Sequence, residues 1–333
     1  MGRKSLLAIL FLISSLARSE PRLTNTPPDY QRDKTQSFYE PGSGTHNVTY
    51  AANHLPIKFW GKDLPADLIV ASDIGTNISR FSRKGVLSWR VNTYPKTVRS
   101  IDIEGDNIVA HADTDKLVIN AKTGEIIKTE KNQKIYLFNK ISSGLRISGV
   151  DDSGKGMIKI GEKILSLTTK WARDAIVTNN RVYISDTFGH RVIILDRKTL
   201  KIISTRAAYF PNDLFLIDGN VILVEEHANR LINVDTGEII FACPIWIYMQ
   251  NKSPIENIEK NIEKYNSTEK IGRCAREFMG PNTLYSANSA IYTENTIIVA
   301  DTDNHRIISI IDGNVVTELQ NVNNPVRIMA APN

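Results

Sequence analysis

Oxygen-bearing side chains stand at the start of several predicted strands, where they could bind a divalent cation. The candidate ligands are Asp174, Asn212, Asp213 and Asn282, with Arg173 beside them. Asn212 and Asn282 each follow a proline directly, and Arg173–Asp174 occupies the matching position of a third unit. Carboxylate and amide oxygens are hard ligands that suit calcium or magnesium. The same residues could instead cap strands through the backbone, so the pattern leaves both interpretations open.

Histidines form a second group with possible chemistry. The sequence contains a repeated pattern of two predicted strands joined by a short polar turn, here called the elbow. Four of the six histidines lie at or near an elbow: His111, His190, His227 and His305. If all the elbows lie on one face of the fold, these histidines lie on or near that rim. Neutral imidazole is a common metal ligand, so a rim metal site is one hypothesis. Solvated loop histidines are the alternative.

The elements that position these residues follow from an internal repeat. The segment IIVADTDNHRIISI (297–310) returns as VYISDTFGHRVIIL (182–195), VILVEEHANRLINV (221–234) and NIVAHADTDKLVIN (107–120). Its fifth and tenth positions hold three acid–Arg pairs: Asp186 with Arg191, Asp301 with Arg306, and Glu225 with Arg230. The acid can accept backbone N–H groups of the following turn, and the arginine can return to the carboxylate. Because the pairs recur in several units, we interpret them as structural rather than catalytic.

Short alternating strands separated by Asn, Asp and Gly turns predict an all-β fold. Repeat starts at Ile69, Asn107, Val182, Val221 and Ile297 are spaced by about 38 residues or twice that, and a degenerate unit occupies 134–168. This spacing predicts a six-bladed β-propeller, with seven blades as the alternative. The first unit lacks an inner strand, and residues 324–328 supply an extra one. We therefore predict that the C-terminal segment pairs into the first blade and closes the ring.

The strings DTDNHRI and DTFGHRV resemble the signature of NHL-repeat propellers, and the resemblance extends over about residues 64–330. It implies a six-bladed propeller, a fold shared by SMP-30/gluconolactonase-type lactonases, amidating lyases and pure binding scaffolds. Such lactonases hold a divalent cation with Asn and acidic residues at inner-strand starts. Asn212, Asn282 and Asp174 match that set in part, whereas the acidic ligand of the first blade has no counterpart here.

The N-terminus predicts export. Residues 1–19 combine Arg3 and Lys4 with an apolar run from 6 to 16 and small residues before position 20, as in a cleavable signal peptide, and the run is too short to span a membrane. Cleavage removes three basic residues and no acid, so the net charge falls from +5 to +2. That balance does not support nucleic-acid binding. We expect a secreted or periplasmic protein with an extended arm at 20–60 and a propeller at 61–333.

An insertion at 244–281 interrupts the repeat. Ser253-Pro254-Ile255-Glu256 predicts a helix start, and isoleucines follow at helical spacing. The insertion is expected on the face of the histidine elbows, as a lid or a partner-docking helix. Cys243 and Cys274 flank it and are predicted to form a disulfide in an exported chain, with two free thiols as the alternative.

These observations favour an exported, monomeric scaffold that binds a protein or a small molecule through the face bearing the insertion. The alternative is a metal-dependent hydrolase or lyase with calcium or another divalent cation at the channel mouth. A second alternative is a PQQ-like outer-membrane assembly scaffold, because AKTGEII and VDTGEII are similar to that repeat. The sequence leaves open whether the protein is an enzyme.

Overall fold

The computed structural model describes residues 56–131, 135–152, 155–242 and 284–332, and these residues form a ring of six antiparallel sheets. The strands are rich in Val and Ile, which fit a pleated, half-buried surface. Tight turns separate them where residues with positive φ, such as Gly105 and Gly219, reverse the chain. The predicted all-β, six-bladed propeller is therefore confirmed.

Each blade contributes one inner, two middle and one outer strand. Blade 1 contains β2 (Leu68–Ser72), β3 (Asn77–Phe81) and β4 (Leu87–Asn92). Blade 2 contains β5 (Val98–Glu104), β6 (Asn107–Ala112), β7 (Asp115–Asn120) and β8 (Ile126–Lys131). Blade 3 contains β9 (Ile135–Ser142), β10 (Leu145–Asp152), β11 (Lys155–Ile160) and β12 (Lys163–Thr169). Blade 4 contains β13 (Ala172–Val177), β14 (Arg181–Asp186), β15 (Arg191–Asp196) and β16 (Ile202–Ala207). Blade 5 contains β17 (Pro211–Ile217), β18 (Asn220–Glu225), β19 (Arg230–Asn233) and β20 (Ile239–Ala242). Blade 6 contains β21 (Ser289–Thr293), β22 (Thr296–Asp301), β23 (Arg306–Ile311) and β24 (Asn314–Gln320).

The two ends of the described chain complete the ring. The C-terminal strand β25 (Arg327–Ala330) pairs antiparallel with β2 and becomes the inner strand of blade 1, with Val70 opposite Ile328. This is the closure that the sequence predicted. It gives β2 a partner on both sides and gives blade 1 the four strands of a complete blade.

An additional strand precedes the ring. β1 (Lys58–Gly61) pairs with β24 and makes blade 6 five-stranded, which the sequence did not predict. The aromatic pair Phe59 and Trp60 lies in this strand, and Phe59 packs against the core between blades 6 and 1. The last residues of the predicted arm therefore belong to the propeller, since β1 begins three residues before the predicted domain boundary at 61.

Apolar side chains between adjacent blades form the core. Each apolar cluster joins two neighbouring sheets. One cluster contains Ile158 of blade 3 and Ile184 of blade 4, and another contains Leu231 of blade 5 and Val299 of blade 6. Fully burying one such side chain stabilises the fold by about 1.5–3 kcal/mol. The ring is therefore held by blade-to-blade packing, which fixes the inner strands around a common axis.

Several sequence-based predictions lie outside the described residues: the signal peptide at 1–19, most of the arm, Asn282, and the insertion with Cys243 and Cys274. The disulfide stays a prediction. No helix among the described residues is long and apolar enough to cross a membrane.

Candidate functional site: the central channel

The polar elbows between the second and third strands all lie on one side of the ring, here called the elbow rim. In blade 4, β14 ends at Asp186 and β15 begins at Arg191, and these two residues are paired across the strands. The same arrangement joins Asp301 to Arg306 in blade 6. β20 ends at Ala242 opposite Arg230, at this same rim. The described part of blade 5 thus ends on this rim, and the predicted insertion at 244–281 lies outside the described residues.

The three acid–Arg pairs make the predicted contact. Arg191 Nε donates to Asp186 Oδ2 at 3.0 Å, Arg306 Nε donates to Asp301 Oδ2 at 2.7 Å, and Arg230 Nε donates to Glu225. The backbone donors differ from the prediction, however. They come from the link that enters the inner strand of the same blade, as when Trp171 N donates to Asp186 Oδ1 at 3.1 Å, and not from the following turn. Each carboxylate thus ties the inner strand to the third strand of its blade.

Two of the four histidines share a cluster of rings on the elbow rim. His227 stacks on Phe210 with ring centroids 3.8 Å apart, and His190 lies 5.1 Å from the same ring. Burial lowers the pKa of His227 to about 4, with smaller contributions from His190 and Arg173. His227 is therefore neutral at physiological pH, while His190 is exposed.

The other two histidines lie apart. His305 follows the elbow turn of blade 6, and its Nδ1 accepts the N–H of Asn324 at 3.2 Å. His111 belongs to strand β6 and is buried, with Nε2 2.8 Å from Asn139 Nδ2. Burial lowers its pKa to about 4. The four histidines are thus not brought together, and no cluster of three or more His, Cys, Asp or Glu side chains suited to a metal ion occurs in the described part of the chain.

The candidate ligands of the inner strands do converge on the axis, where they meet basic residues. Lys140 Nζ on β9 donates to both carboxylate oxygens of Asp174 on β13, at 3.2 and 3.0 Å, and to the carbonyl oxygen of Leu214 at 3.1 Å. Arg327 Nη1 on β25 donates to Asp213 Oδ1 at 3.1 Å. The other oxygen of Asp213 accepts the hydroxyl of Ser289 at 2.6 Å.

Arg327 also spans the channel. Its Nη2 donates to the carbonyl oxygen of Arg173 at 2.8 Å, and blades 1 and 4, which hold these residues, stand opposite each other in a ring of six. We call the set Lys140, Arg173, Asp174, Asp213, Ser289 and Arg327 the polar network. It joins inner strands of five blades and crosses the axis, so it divides the channel into two parts.

Burial and charge set the protonation of the network. Burial raises the pKa of Asp174 to about 7, although Lys140 opposes the shift. Burial also acts to raise the pKa of Asp213, but Arg327 and Lys140 outweigh it and the pKa is lowered. Each of the two carboxyl groups acts on the pKa of the other. One proton near neutral pH is therefore held on the Asp174 side of this pair.

On the side away from the elbows, the network forms the floor of a cavity of about 350 Å³, the channel cavity. All six inner strands line it. Its walls are mainly apolar and include Ile101, Ile141, Ile176, Leu216, Ile291 and Met329. Asp102 is the acidic residue of the wall; burial raises its pKa, and its Oδ2 accepts the N–H of Ile141 at 3.1 Å. Ile141 is half exposed, which places the opening at the C-terminal ends of the inner strands.

On the elbow side, the channel contains amide and carboxyl groups. Asn212 Nδ2 donates to Glu226 Oε2 at 2.6 Å and to Asn288 Oδ1 at 2.8 Å, and Arg173 Nη1 lies 3.4 Å from Asn212 Oδ1. Burial raises the pKa of Glu226 to about 7, with Arg173 acting in the opposite direction. Both the nitrogen and the oxygen of the Asn212 side-chain amide therefore have partners.

The oxygens proposed as metal ligands thus face cationic side chains or amides. Asp174 binds an ammonium group, Asp213 binds a guanidinium group, and Asn212 Oδ1 faces Arg173. This donor set does not fit a divalent cation, because Lys140 and Arg327 already supply the positive charge. The cation hypothesis gains no support from these residues and stays a prediction, with Asn282 outside the described range.

Sequence reasoning missed Lys140 and Arg327. For Arg327 a signal existed, because it stands two residues after Pro325 just as Asp213 stands two residues after Pro211. Lys140 lies in the degenerate unit, where no strand-start motif marks the register.

Comparisons with known proteins show the fold of this chain and give no information on its function. No protein-family model matches the sequence, and no curated protein matches it either. A protein of unknown function from Bacteroides caccae superposes with a TM-score of 0.54 at 11% identity, over 81% of this chain and 100% of that chain. A chain of a nidogen/laminin complex superposes with a TM-score of 0.54 at 9% identity, over 80% and 98%. At such identities the likeness shows a shared β-propeller fold alone.

Proposed function

We propose that this protein is an exported propeller that binds a small molecule in its channel cavity. The observation that carries the proposal is the cavity itself: about 350 Å³, lined by apolar side chains, with a few convergent charged groups at one end. Pockets for small ligands have this composition, and their volumes begin at roughly 300 Å³. The cavity is built on inner strands held by the ring, so its shape is fixed before a ligand arrives.

The proposed ligand site lies on the opposite side of the ring from the face that the sequence analysis favoured for binding. The described chain of blade 5 ends at Ala242 on the elbow rim, just before the predicted insertion, whereas the channel cavity opens at the opposite ends of the inner strands. The polar network separates the two sides, because Arg327 crosses the axis between them. The lining residues of the cavity all belong to the described inner strands. Export rests on the signal-peptide pattern at 1–19.

Titration with the fluorescent probe 8-anilinonaphthalene-1-sulfonate tests the proposal. We expect a saturable rise in fluorescence at one probe per chain. Ile291→Trp places an indole inside the cavity and should abolish the rise. Ile127→Trp is the matched control, because Ile127 lies on the outer strand β8 and is 54% exposed. That control should bind the probe as the unsubstituted protein does.

The melting temperature of each variant is recorded alongside, because partly folded proteins also bind this probe. Equal binding by Ile291→Trp and the unsubstituted protein, at unchanged melting temperature, would contradict the proposal.

A second candidate function is protein interaction through the elbow rim. The specific observation is the ring cluster around Phe210, in which Phe188 lies 5.4 Å from Phe210 and 5.7 Å from Trp171 while its side chain stays 43% exposed. Exposed aromatic residues are enriched in protein interfaces. If probe binding is lost in Phe188→Ala and kept in Ile291→Trp, the elbow rim is the binding surface instead.

Within the propellers, we propose that the chain uses an NHL-type repeat. The support is the recurring contact between the acid that ends the second strand and the arginine that begins the third, in blades 4, 5 and 6. An alignment of homologous sequences tests the assignment. We expect the acid and the arginine to be retained together in register; replacement of the acid alone in most homologues would contradict it.

A further inference from the structure

The groups that line the floor of the channel cavity define which class of molecule it accepts. Resting on the function proposed above, we propose that the ligand is a small carboxylic acid with a single short hydrocarbon chain, whose carboxylate binds Arg327. The anion would meet the guanidinium at the floor, and the chain would lie along the apolar walls toward the opening.

Arg327 has donors available for an anion. A guanidinium carries five N–H groups, and two of those of Arg327 bind Asp213 and the carbonyl oxygen of Arg173. The other three have no partner among the residues that the structure describes. The side chain is only 13% exposed and borders the cavity, so an incoming carboxylate would form charge-assisted hydrogen bonds with little competition from water.

The charge around the floor also favours an anion. Two cationic side chains stand at the floor of the cavity, Lys140 and Arg327, whereas the guanidinium of Arg173 lies on the elbow side beside Asn212. The carboxyl groups that face them are Asp174 and Asp213, while Asp102 stands on the wall. Because burial raises the pKa of Asp174 to about 7, a large fraction of molecules carries a neutral Asp174 near pH 7. In those molecules Lys140 and Arg327 face a single carboxylate at the floor, that of Asp213, so the floor carries an excess of positive charge.

The walls of the channel cavity limit the size and polarity of the part of the ligand beyond its carboxylate. From the floor to the opening they are formed mainly by aliphatic and aromatic side chains, with Asp102 on one strand. A volume of about 350 Å³ is near the lower bound for ligand pockets, which excludes molecules with two long chains. A carboxylate with roughly eight carbons uses both features: the charge at one end and the apolar length.

Isothermal titration with three probes of equal chain length, octanoate, 1-octanol and octylamine, tests the inference. At pH 6 we expect octanoate to bind at least tenfold more tightly than either of the other two. Raising the pH to 8 should weaken octanoate binding several-fold, because Asp174 then ionises beside the bound anion. The groups that face Asp174 are Lys140 from β9, Asp213 from β17 and Arg327 from β25, and none of these three titrates in this range, because Arg327 and Lys140 lower the pKa of Asp213.

Two variants separate a specific contact from a general loss of structure. Arg327→Met should weaken octanoate at least tenfold and leave 1-octanol within about twofold. Asp174→Asn keeps the size of the side chain and should remove the pH dependence of octanoate binding. Its octanoate affinity at pH 8 should match the affinity of the unsubstituted protein at pH 6.

The outcomes distinguish the two levels of the proposal. If 1-octanol or octylamine binds as tightly as octanoate, the cavity remains a ligand site and the anionic class is wrong. If octanoate binds most tightly but Arg327→Met does not weaken it, the assignment to Arg327 is wrong. If none of the three probes binds, the inference and the proposed function both fail.

Discussion

Replacing Arg306 with methionine should destabilise the propeller strongly, because it leaves two buried carboxylates without their cation. Arg306 Nε donates to Asp301 at 2.7 Å and Nη1 donates to Glu318 at 3.1 Å, and all three side chains are at most 1% exposed. Removing one partner of a buried ion pair costs about 3–5 kcal/mol. At roughly 2–4 °C per kcal/mol, the melting temperature should fall by about 6–20 °C.

The same contact in blade 4 provides a matched control. Both acids accept backbone N–H groups, Asp186 from Lys170 and Trp171 and Asp301 from Tyr285, but Arg191 is 37% exposed and binds Asp186 alone at 3.0 Å, so water can replace it. Arg191→Met should therefore cost only about 1–2 kcal/mol. Circular dichroism melts of both variants measure the difference.

A pH dependence adds a second signature. Burial raises the pKa of Asp301 while Arg306 holds it down, so loss of Arg306 should raise that pKa further. The folded variant then takes up a proton that the unfolded chain does not hold, and it should be less destabilised at pH 5 than at pH 8. Equal losses for Arg306→Met and Arg191→Met, with no dependence on pH, would refute the reasoning.

Three further predictions follow from the ring and its channel. Burial holds a proton on folded Glu226 up to about pH 7, so stability should fall as pH rises from about 4.5 to 7, by up to about 1.4 kcal/mol per unit from this group, and urea titrations of Glu226→Gln should show a shallower slope. Deleting residues 324–333 removes β25 and should lower the melting temperature by more than 10 °C or prevent folding, whereas deleting 331–333 should have little effect; an intact melt after the longer deletion would contradict closure by β25. Because Lys140 and Arg327 neutralise Asp174 and Asp213, EDTA should leave the melting temperature unchanged, and a marked drop would show a bound cation after all.

The fold was predictable because its signals are local and repeated. The register of the fourteen-residue segment marks where the second strand ends and the third begins, as at Asp301 and Arg306. The extra strand start at Asn324 and the missing one before Ile69 together predicted closure, and β25 pairs with β2 accordingly. Both arguments need only the order of elements along the chain.

The channel was not predictable in the same way, because its contacts join residues distant in sequence. Arg327 binds Asp213, 114 residues away, and the carbonyl oxygen of Arg173, 154 residues away. Which side chains face each other across the axis depends on the relative rotation of opposite blades, and no local pattern encodes it. For the same reason Asp174 was assigned as a candidate metal ligand before its partner Lys140 was known.

His111 illustrates a different error. Its position in the repeat matches Asp186 and Glu225, which suggested a place near the elbow. In blade 2 the side chain points into the interior, where it bonds Asn139 and lies 4.8 Å from the ring of Tyr136. Correct register therefore did not fix the environment, because the neighbouring blade supplies the partners.

The most direct test of the proposed function is a crystal structure of the protein with 8-bromooctanoate, located by the anomalous scattering of bromine. The account predicts a single strong bromine peak among the apolar walls of the channel cavity, near Ile141, Ile291 and Met329, with the carboxylate at Arg327. A bromine peak at the elbow rim beside Phe188, or an empty cavity at saturating ligand, would contradict it.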